Sequence, residues 1–250
     1  MEHGVAYQAN QAIGAVYADL AALFDQATNQ FNSRYVFQED RRIVAAAAYG
    51  VNISAARITT PTLRLLSFPE IFPLNTTLAP VGLSEIQQPG SNGPMVLRND
   101  EMAVQTSNAD AGIQSNIALI WTDPAPRPAP VGATTTVKCT GALAAVINAW
   151  TAGPLAFVQQ LPAGRYACTG FSCAGAGLIA ARLIFPNQPT RPMVQALQAV
   201  TNVQINEWRF GAHGLLGEFH TYAPPQLEIL ASAANTAQQV ILDLIRLGSD

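Results

Sequence analysis

Charge is what this sequence has least of. Asp, Glu, Lys and Arg make up only 12% of its 250 residues, about half the fraction of roughly 25% found in ordinary soluble domains. Neutral Ala, Gln, Asn, Thr and Ser must therefore supply much of the polar surface. So low a charge suits a protein that buries its outside against copies of itself, because interface cores are depleted of charged residues. Lysine is nearly missing: Lys138 stands alone among twelve arginines. The first 33 residues hold Glu2, Asp19 and Asp25 but no Lys or Arg. That excludes a basic N-terminal arm gripping nucleic acid, since phosphate binding needs clustered basic side chains.

Histidine and cysteine are scarce as well. Three cysteines, Cys139, Cys168 and Cys173, are an odd number in so long a chain. They argue against a disulfide framework and for a reducing compartment, with the thiols buried as small hydrophobes. Met1-Glu2-His3-Gly4 lacks the basic and apolar regions of a signal peptide, so synthesis in a cytoplasm is expected. The longest uncharged stretch, Cys139 to Pro162, is interrupted by Asn148, Thr151, Gly153-Pro154 and Gln159-Gln160, which fits buried strands better than a membrane span. Two of the three histidines, His213 and His220, lie in one stretch with the carboxylate of Glu218. In a strand the two would point to opposite faces, and a transition metal wants three or four ligands, so no metal site and no cofactor are expected. Nucleophile elbow, P-loop, dinucleotide fingerprint and His-Glu-x-x-His are all missing. The acid pairs Glu39-Asp40 and Asp100-Glu101 sit beside Arg41-Arg42 and Arg98, as surface ion pairs do. No catalytic residue is assigned, and the chain is not read as an enzyme.

What the sequence does have is punctuation. Asp123-Pro124-Ala125-Pro126-Arg127-Pro128-Ala129-Pro130 places proline at alternate positions, fixing φ and removing backbone donors, so it can neither continue a helix nor lie inside a sheet. It predicts a stiff connector over residues 123–132. On either side run short apolar segments broken by turns, with no alternation of strand and helix. They include Met102–Thr106 and Ile117–Trp121 before the connector, and Leu143–Ala149, Arg165–Cys173, Leu178–Phe185 and Leu227–Ala231 after it. Seven such segments precede the connector and eight follow it, against the eight a jelly roll requires. Two tandem jelly-roll β-sandwiches follow, over residues 34–122 and 133–250. A helical arm is expected over residues 1–33, because Ile13, Val16, Tyr17, Leu20, Leu23 and Phe24 recur at three- and four-residue spacing between Asn10 and Gln30. That stripe is read as an assembly surface. Its polar face has no basic residue to bind an anionic membrane. A second short helix is expected over Asn235–Leu247, and a helical turn at Met193–Val200. Thr62-Leu63-Arg64-Leu65-Leu66-Ser67-Phe68-Pro69 faintly echoes Ala180-Ala181-Arg182-Leu183-Ile184-Phe185-Pro186.

The second half carries a further pattern: Gln160-Leu161-Pro162-Ala163-Gly164-Arg165-Tyr166, then Ala181-Arg182-Leu183-Ile184-Phe185-Pro186, then Glu218-Phe219 and Pro224-Pro225-Gln226-Leu227-Glu228. With the tandem architecture it resembles the double jelly-roll major capsid proteins of small icosahedral bacterial viruses, of the corticovirus-like and Flavobacterium lipid-containing phage kind. The resemblance implies a structural virion protein, made in the host cytoplasm and located in the capsid. Its partners would be itself, as a homotrimer forming a pseudo-hexagonal tile and then a lattice, together with penton or minor capsid proteins and, in many members, an internal membrane. It brings no residue-level site. The alternatives are a carbohydrate-binding or carbohydrate-active β-sandwich protein and a non-viral sheath or appendage subunit.

Overall fold

A computed structural model describes residues 3–12, 14–22, 29–31, 34–50, 52–62, 70–71, 93–109, 112–123, 128–197 and 214–248. The chain divides into two compact units, one drawn chiefly from residues 4–125 and the other chiefly from 126–250. Both are all-β, and no helix occurs among the described residues.

The first unit contains β1 (His3–Ala12), β2 (Ala18–Asp19), β3 (Ala21–Ala22), β4 (Asn29–Phe31), β5 (Arg34–Val36), β6 (Arg41–Gly50), β7 (Ile53–Thr59), β8 (Glu70–Ile71), β9 (Met95–Val96), β10 (Glu101–Asn108) and β11 (Ile113–Asp123). They form two sheets, ordered β3-β1-β11-β6-β9 and β4-β5-β10-β7-β8, with β2 added on β10. One core cluster takes Val5, Tyr7, Ile43, Ala46, Ala118 and Ile120 from the first sheet and Tyr35, Ala56, Ile58, Met102 and Val104 from the second, so the sheets pack as a sandwich. Tyr7 brings its hydroxyl into this core by donating to the carbonyl of Met102 at 2.6 Å.

The second unit contains β12 (Thr134–Gly141), β13 (Trp150–Pro154), β14 (Ala156–Phe157), β15 (Arg165–Ala174), β16 (Leu178–Ile184), β17 (Met193–Gln195), β18 (Gly217–His220), β19 (Gln226–Ala231) and β20 (Gln238–Gly248). Its sheets are ordered β14-β12-β20-β15-β18 and β13-β19-β16-β17. Period-two alternation is plainest on β12, where Val137, Cys139 and Gly141 are buried and Lys138 and Thr140 exposed. The central strands β15 and β16 are buried on both faces, which is why they read as continuous apolar runs. The two sheets meet closely: a Cβ on Gly141 would press on Leu227, and one on Gly217 would enter the ring of Phe185. Phe219 gathers the aromatic part of the core, its ring centroid 5.9 Å from Tyr166 and 6.5 Å from Phe185.

Setting aside β2, β3, β4 and β14, eight strands remain in each unit, the two-residue β8 and β9 among them. Numbered along the chain, both units read 1-8-3-6 in one sheet and 2-7-4-5 in the other. The two halves of the chain thus share one strand order.

Among the described residues, strands and loops stand where both helices were expected. Within Asn10–Gln30 the described residues belong to β1 to β4 or to the loops between them, while Ile13 and residues 23–28 lie outside the described residues. The backbone donors there bond across the sheet and not to the preceding turn: Leu20 N–H donates to Val104 O at 2.9 Å, and β1 lies between β3 and β11. Gly14, four residues into the expected helix, costs a helix about 1 kcal/mol relative to alanine and is a local sign against it. The described residues between 4 and 31 are accordingly strands and loops of the first unit. At the other end, β20 fills the slot between β12 and β15. Val240, Leu242 and Leu244 are fully buried at every second position, and the β-branched Val240, Ile241 and Ile245 suit a pleated surface. The helical turn at Met193 is strand β17. The strand expected at Leu143–Ala149 does not form; instead the Gln238 side chain donates to Leu143 O and accepts from Leu143 N–H, both at 2.9 Å, imitating a neighbouring strand. In the connector, Asp123 is the last residue of β11, residues 124–127 lie outside the described residues, and 128–133 belong to no strand.

Candidate functional site

Of the six residues of the expected assembly stripe, the three that the structure describes differ in burial. Leu20 is in the first core. Tyr17 is half-buried beneath Arg57, whose guanidinium carbon lies 4.0 Å from the ring centroid. Val16 is 80% exposed. Ile13, Leu23 and Phe24 lie outside the described residues.

The most developed side-chain constellation was not expected from the sequence. Arg182 on β16 faces Glu228 on β19 in register. Its Nε donates to Glu228 Oε2 at 2.9 Å and its Nη2 lies 2.7 Å from the same oxygen. Arg191 Nη1 donates to both carboxylate oxygens, at 2.9 and 3.0 Å. Trp150, at the start of β13, lies over the Arg182 guanidinium with its ring centroid 3.8 Å away. Arg182 is fully buried and Glu228 and Arg191 nearly so. A charge taken out of water is tolerated only when paired and hydrogen-bonded, and here two guanidinium groups and an indole face enclose one carboxylate.

The first unit repeats the device. Arg57 on β7 faces Gln105 on β10 in register, and its Nε donates to Gln105 Oε1 at 2.8 Å. β7 and β16 are the fourth of the eight strands, and β10 and β19 the seventh. The aromatic partner again comes from the flank of the seventh strand: Tyr17 directly precedes β2, which pairs with β10, and Trp150 opens β13, which pairs with β19. Even the local sequence repeats, Ala55-Ala56-Arg57-Ile58 and Ala180-Ala181-Arg182-Leu183. These segments form an internal echo beside the one expected at Thr62–Pro69. The expected partner of Arg182, Arg64, is outside the described residues. In the first unit the surroundings are open. Gln105 Nε2 donates to Asp19 Oδ1 at 2.8 Å, Arg34 reaches Glu101 at 3.5 Å and Asp19 at 3.6 Å, and a pocket of about 370 Å³ is lined by Arg34, Arg57, Glu101 and Gln105.

The other candidate groups are engaged elsewhere. Glu218 accepts from Arg165 at 2.9 Å, His220 stacks on Tyr222 with ring centroids 3.9 Å apart, and His213 lies outside the described residues. Among the described residues no group of three or more His, Cys, Asp and Glu side chains is placed to hold a metal ion. The three cysteines are buried and unbridged. Burial pushes the Cys139 and Cys173 thiols up to about 12, and Cys168 upward as well, so none is a nucleophile near neutral pH. No helix among the described residues is long and apolar enough to cross a membrane.

No protein-family model matches the chain, and no curated protein matches it. Among solved structures it is similar to the major capsid protein P2 from bacteriophage PM2, at 9% identity over 99% of this chain and 98% of that one, with a TM-score of 0.24. A likeness of that size establishes neither fold nor function.

Proposed function

We propose that the chain is a tandem jelly-roll structural protein, the major capsid protein of an icosahedral bacterial virus, and that it carries no catalytic site. The observation behind this reading is the repeated strand order. A chain folded back on itself pairs strands 1 with 8, 2 with 7, 3 with 6 and 4 with 5; wrapped into a sandwich, those pairs give 1-8-3-6 against 2-7-4-5, the jelly-roll arrangement of capsid and lectin domains. The strand order of both units, with β2, β3, β4 and β14 set aside, supports this reading. Two such units in one chain supply six in a trimer, the number needed for a pseudo-hexagonal tile. The sequence resemblance to double jelly-roll capsid proteins points the same way. So does the low charge, since tile edges must bury neutral, matched walls against neighbours. In this reading the subunit's partners are two further copies, then the lattice with its penton or minor proteins, and its place is the virion. Val16, exposed among the described members of the predicted stripe, is proposed to serve these contacts.

Size-exclusion chromatography with light scattering, followed by electron microscopy of the full chain, tests the reading. Trimers or closed shells are expected. A protein that stays monomeric at every concentration overturns it and favours a free carbohydrate-binding sandwich.

A further inference from the structure

A pocket of about 550 Å³ opens on the second unit where the loop after β14 meets the turn after β18. Phe157 and Phe219 line its apolar part, and Gln159, Gln160, Thr221 and Tyr222 supply polar groups and an aromatic face. Among the described residues that line it, none carries a charge. Tyr222 is 83% exposed, unusual for so large a ring. It is nonetheless held. Ala223 N–H donates to His220 O at 2.8 Å, closing the tight turn that displays Tyr222, and the tyrosine ring lies on His220 with centroids 3.9 Å apart.

The opposite wall is tied to the same turn. Thr221 N–H donates to Gly164 O at 3.1 Å, and Gly164 N–H donates to the Thr221 hydroxyl at 3.2 Å. Tyr166 OH donates to Pro162 O at 2.9 Å and Arg246 Nη2 to Ala163 O at 2.7 Å, pinning the rest of the loop. Both walls are thus organised before any ligand arrives, which spares a binder the entropy of ordering them.

We propose that this pocket binds a neutral saccharide. The C–H face of a sugar ring carries partial positive charge and packs on the negative face of an aromatic ring, which the exposed tyrosine offers. Sugar hydroxyls both donate and accept, and so do the carboxamides of Gln159 and Gln160 and the hydroxyl of Thr221. Without a charged side chain in the lining, nothing selects an anion or a cation. The volume lies in the range of ordinary small-ligand sites. The proposal stands on this unit's own geometry and does not depend on how the subunits assemble.

The test titrates the full chain with maltohexaose, cellohexaose, chitohexaose and xylohexaose, using calorimetry and saturation-transfer NMR. At least one is expected to bind with a dissociation constant at or below roughly 1 mM. Tyr222→Ala should weaken that binding about tenfold and Tyr222→Phe should keep it, because the face and not the hydroxyl makes the stack. Gln160→Ala, with an unchanged melting curve, should weaken it as well. Absence of binding by all four sugars up to roughly 10 mM overturns the proposal, as does full binding by Tyr222→Ala. If Tyr222→Ala instead loses trimers or shells while no sugar binds, the pocket is a subunit contact and the saccharide reading falls. A monomeric protein that binds sugar through Tyr222 would overturn the capsid reading and leave this one intact.

Discussion

The two units place an arginine at the same topological position and surround it differently. In the second, Arg182 is sealed with Arg191 around the Glu228 carboxylate and capped by Trp150. In the first, Arg57 meets the neutral Gln105, lies over Tyr17 and borders an open pocket. Strand order fixes which residues face one another; burial then decides how much charge must be neutralised on the spot. Where the guanidinium is dry, a carboxylate and a second arginine accompany it. Where water reaches it, a carboxamide suffices.

The largest expected effect comes from the way the first unit begins. β1 lies inside its sheet, between β3 and β11, and contributes the fully buried Val5 and Tyr7. Deleting residues 1–30 should therefore unfold the first unit, not merely impair assembly, while the second unit persists. Limited proteolysis with mass spectrometry is expected to digest the truncated first unit and leave a resistant fragment spanning about residues 134–248. Survival of both units would show that β1 is dispensable and restore the idea of a separate arm.

Glu228→Ala should have the next largest effect, since it leaves two guanidinium groups facing each other in a buried site. Removing one partner from such a group costs about 3–5 kcal/mol. Gln105→Ala in the first unit removes two solvent-accessible hydrogen bonds, one accepted from Arg57 and one donated to Asp19, and should cost about 1–2 kcal/mol. Chemical denaturation of the two variants, followed unit by unit through hydrogen exchange, measures the contrast. Equal losses would mean that the two sites differ less than their burial indicates.

Alkaline pH should separate the units in a third way. All three cysteines lie in the second unit. Burial raises Cys139 and Cys173 from the usual 9 to about 12, so the folded unit keeps protons that the unfolded chain has already released. Stability from this source is fully present below pH 9 and is lost as pH rises from about 9 to about 12. In the first unit, burial holds Tyr7 above its usual 10, with the same sign but a higher onset. Unfolding with rising pH should begin in the second unit, and its thiols should resist modification by a disulfide reagent at pH 8 until the unit unfolds. Rapid thiol labelling of the folded protein at pH 8 would contradict this.

How much of this was legible in the sequence depended on which contacts were local. Runs such as Arg165–Cys173 and Leu227–Ala231 are strands because β-branched and aromatic residues stand between turns, and that signal is local. The termini misled because apolar doublets satisfy two periods at once. Val240-Ile241 and Leu244-Ile245 match three- and four-residue spacing, yet in a strand the members of a doublet point to opposite faces: Val240, Leu244 and Ile245 are buried and Ile241 is half-buried. The arginine device was hidden for another reason. Arg57 and Gln105 are 48 residues apart and Arg182 and Glu228 are 46 apart, so only the strand pairing brings them together. A signal did exist, the doubled Ala-Ala-Arg followed by Ile or Leu at 55–58 and 180–183. The Arg64-Leu65-Leu66 segment a few residues later offers a competing match to the same stretch and hides it.

The smallest expected effect would sharpen the comparison most, because it asks whether the first site can be made into the second. Gln105→Glu places a carboxylate where Glu228 stands in the other unit, facing Arg57 as Glu228 faces Arg182. It also removes the bond that Gln105 Nε2 donates to Asp19 at 2.8 Å and sets two carboxylates against each other. The single variant should therefore be neutral to slightly destabilising, within about 1 kcal/mol. Adding Asp19→Asn restores a donor beside the new carboxylate and removes the repulsion, so the double variant should recover the loss and exceed the parent by a few tenths of a kcal/mol, the scale of a solvent-screened pair. A double-mutant cycle in denaturant reads the coupling. If the double variant is worse than the sum of the singles, the open site is not an unsealed copy of the buried one, and the shared strand position constrains the backbone alone.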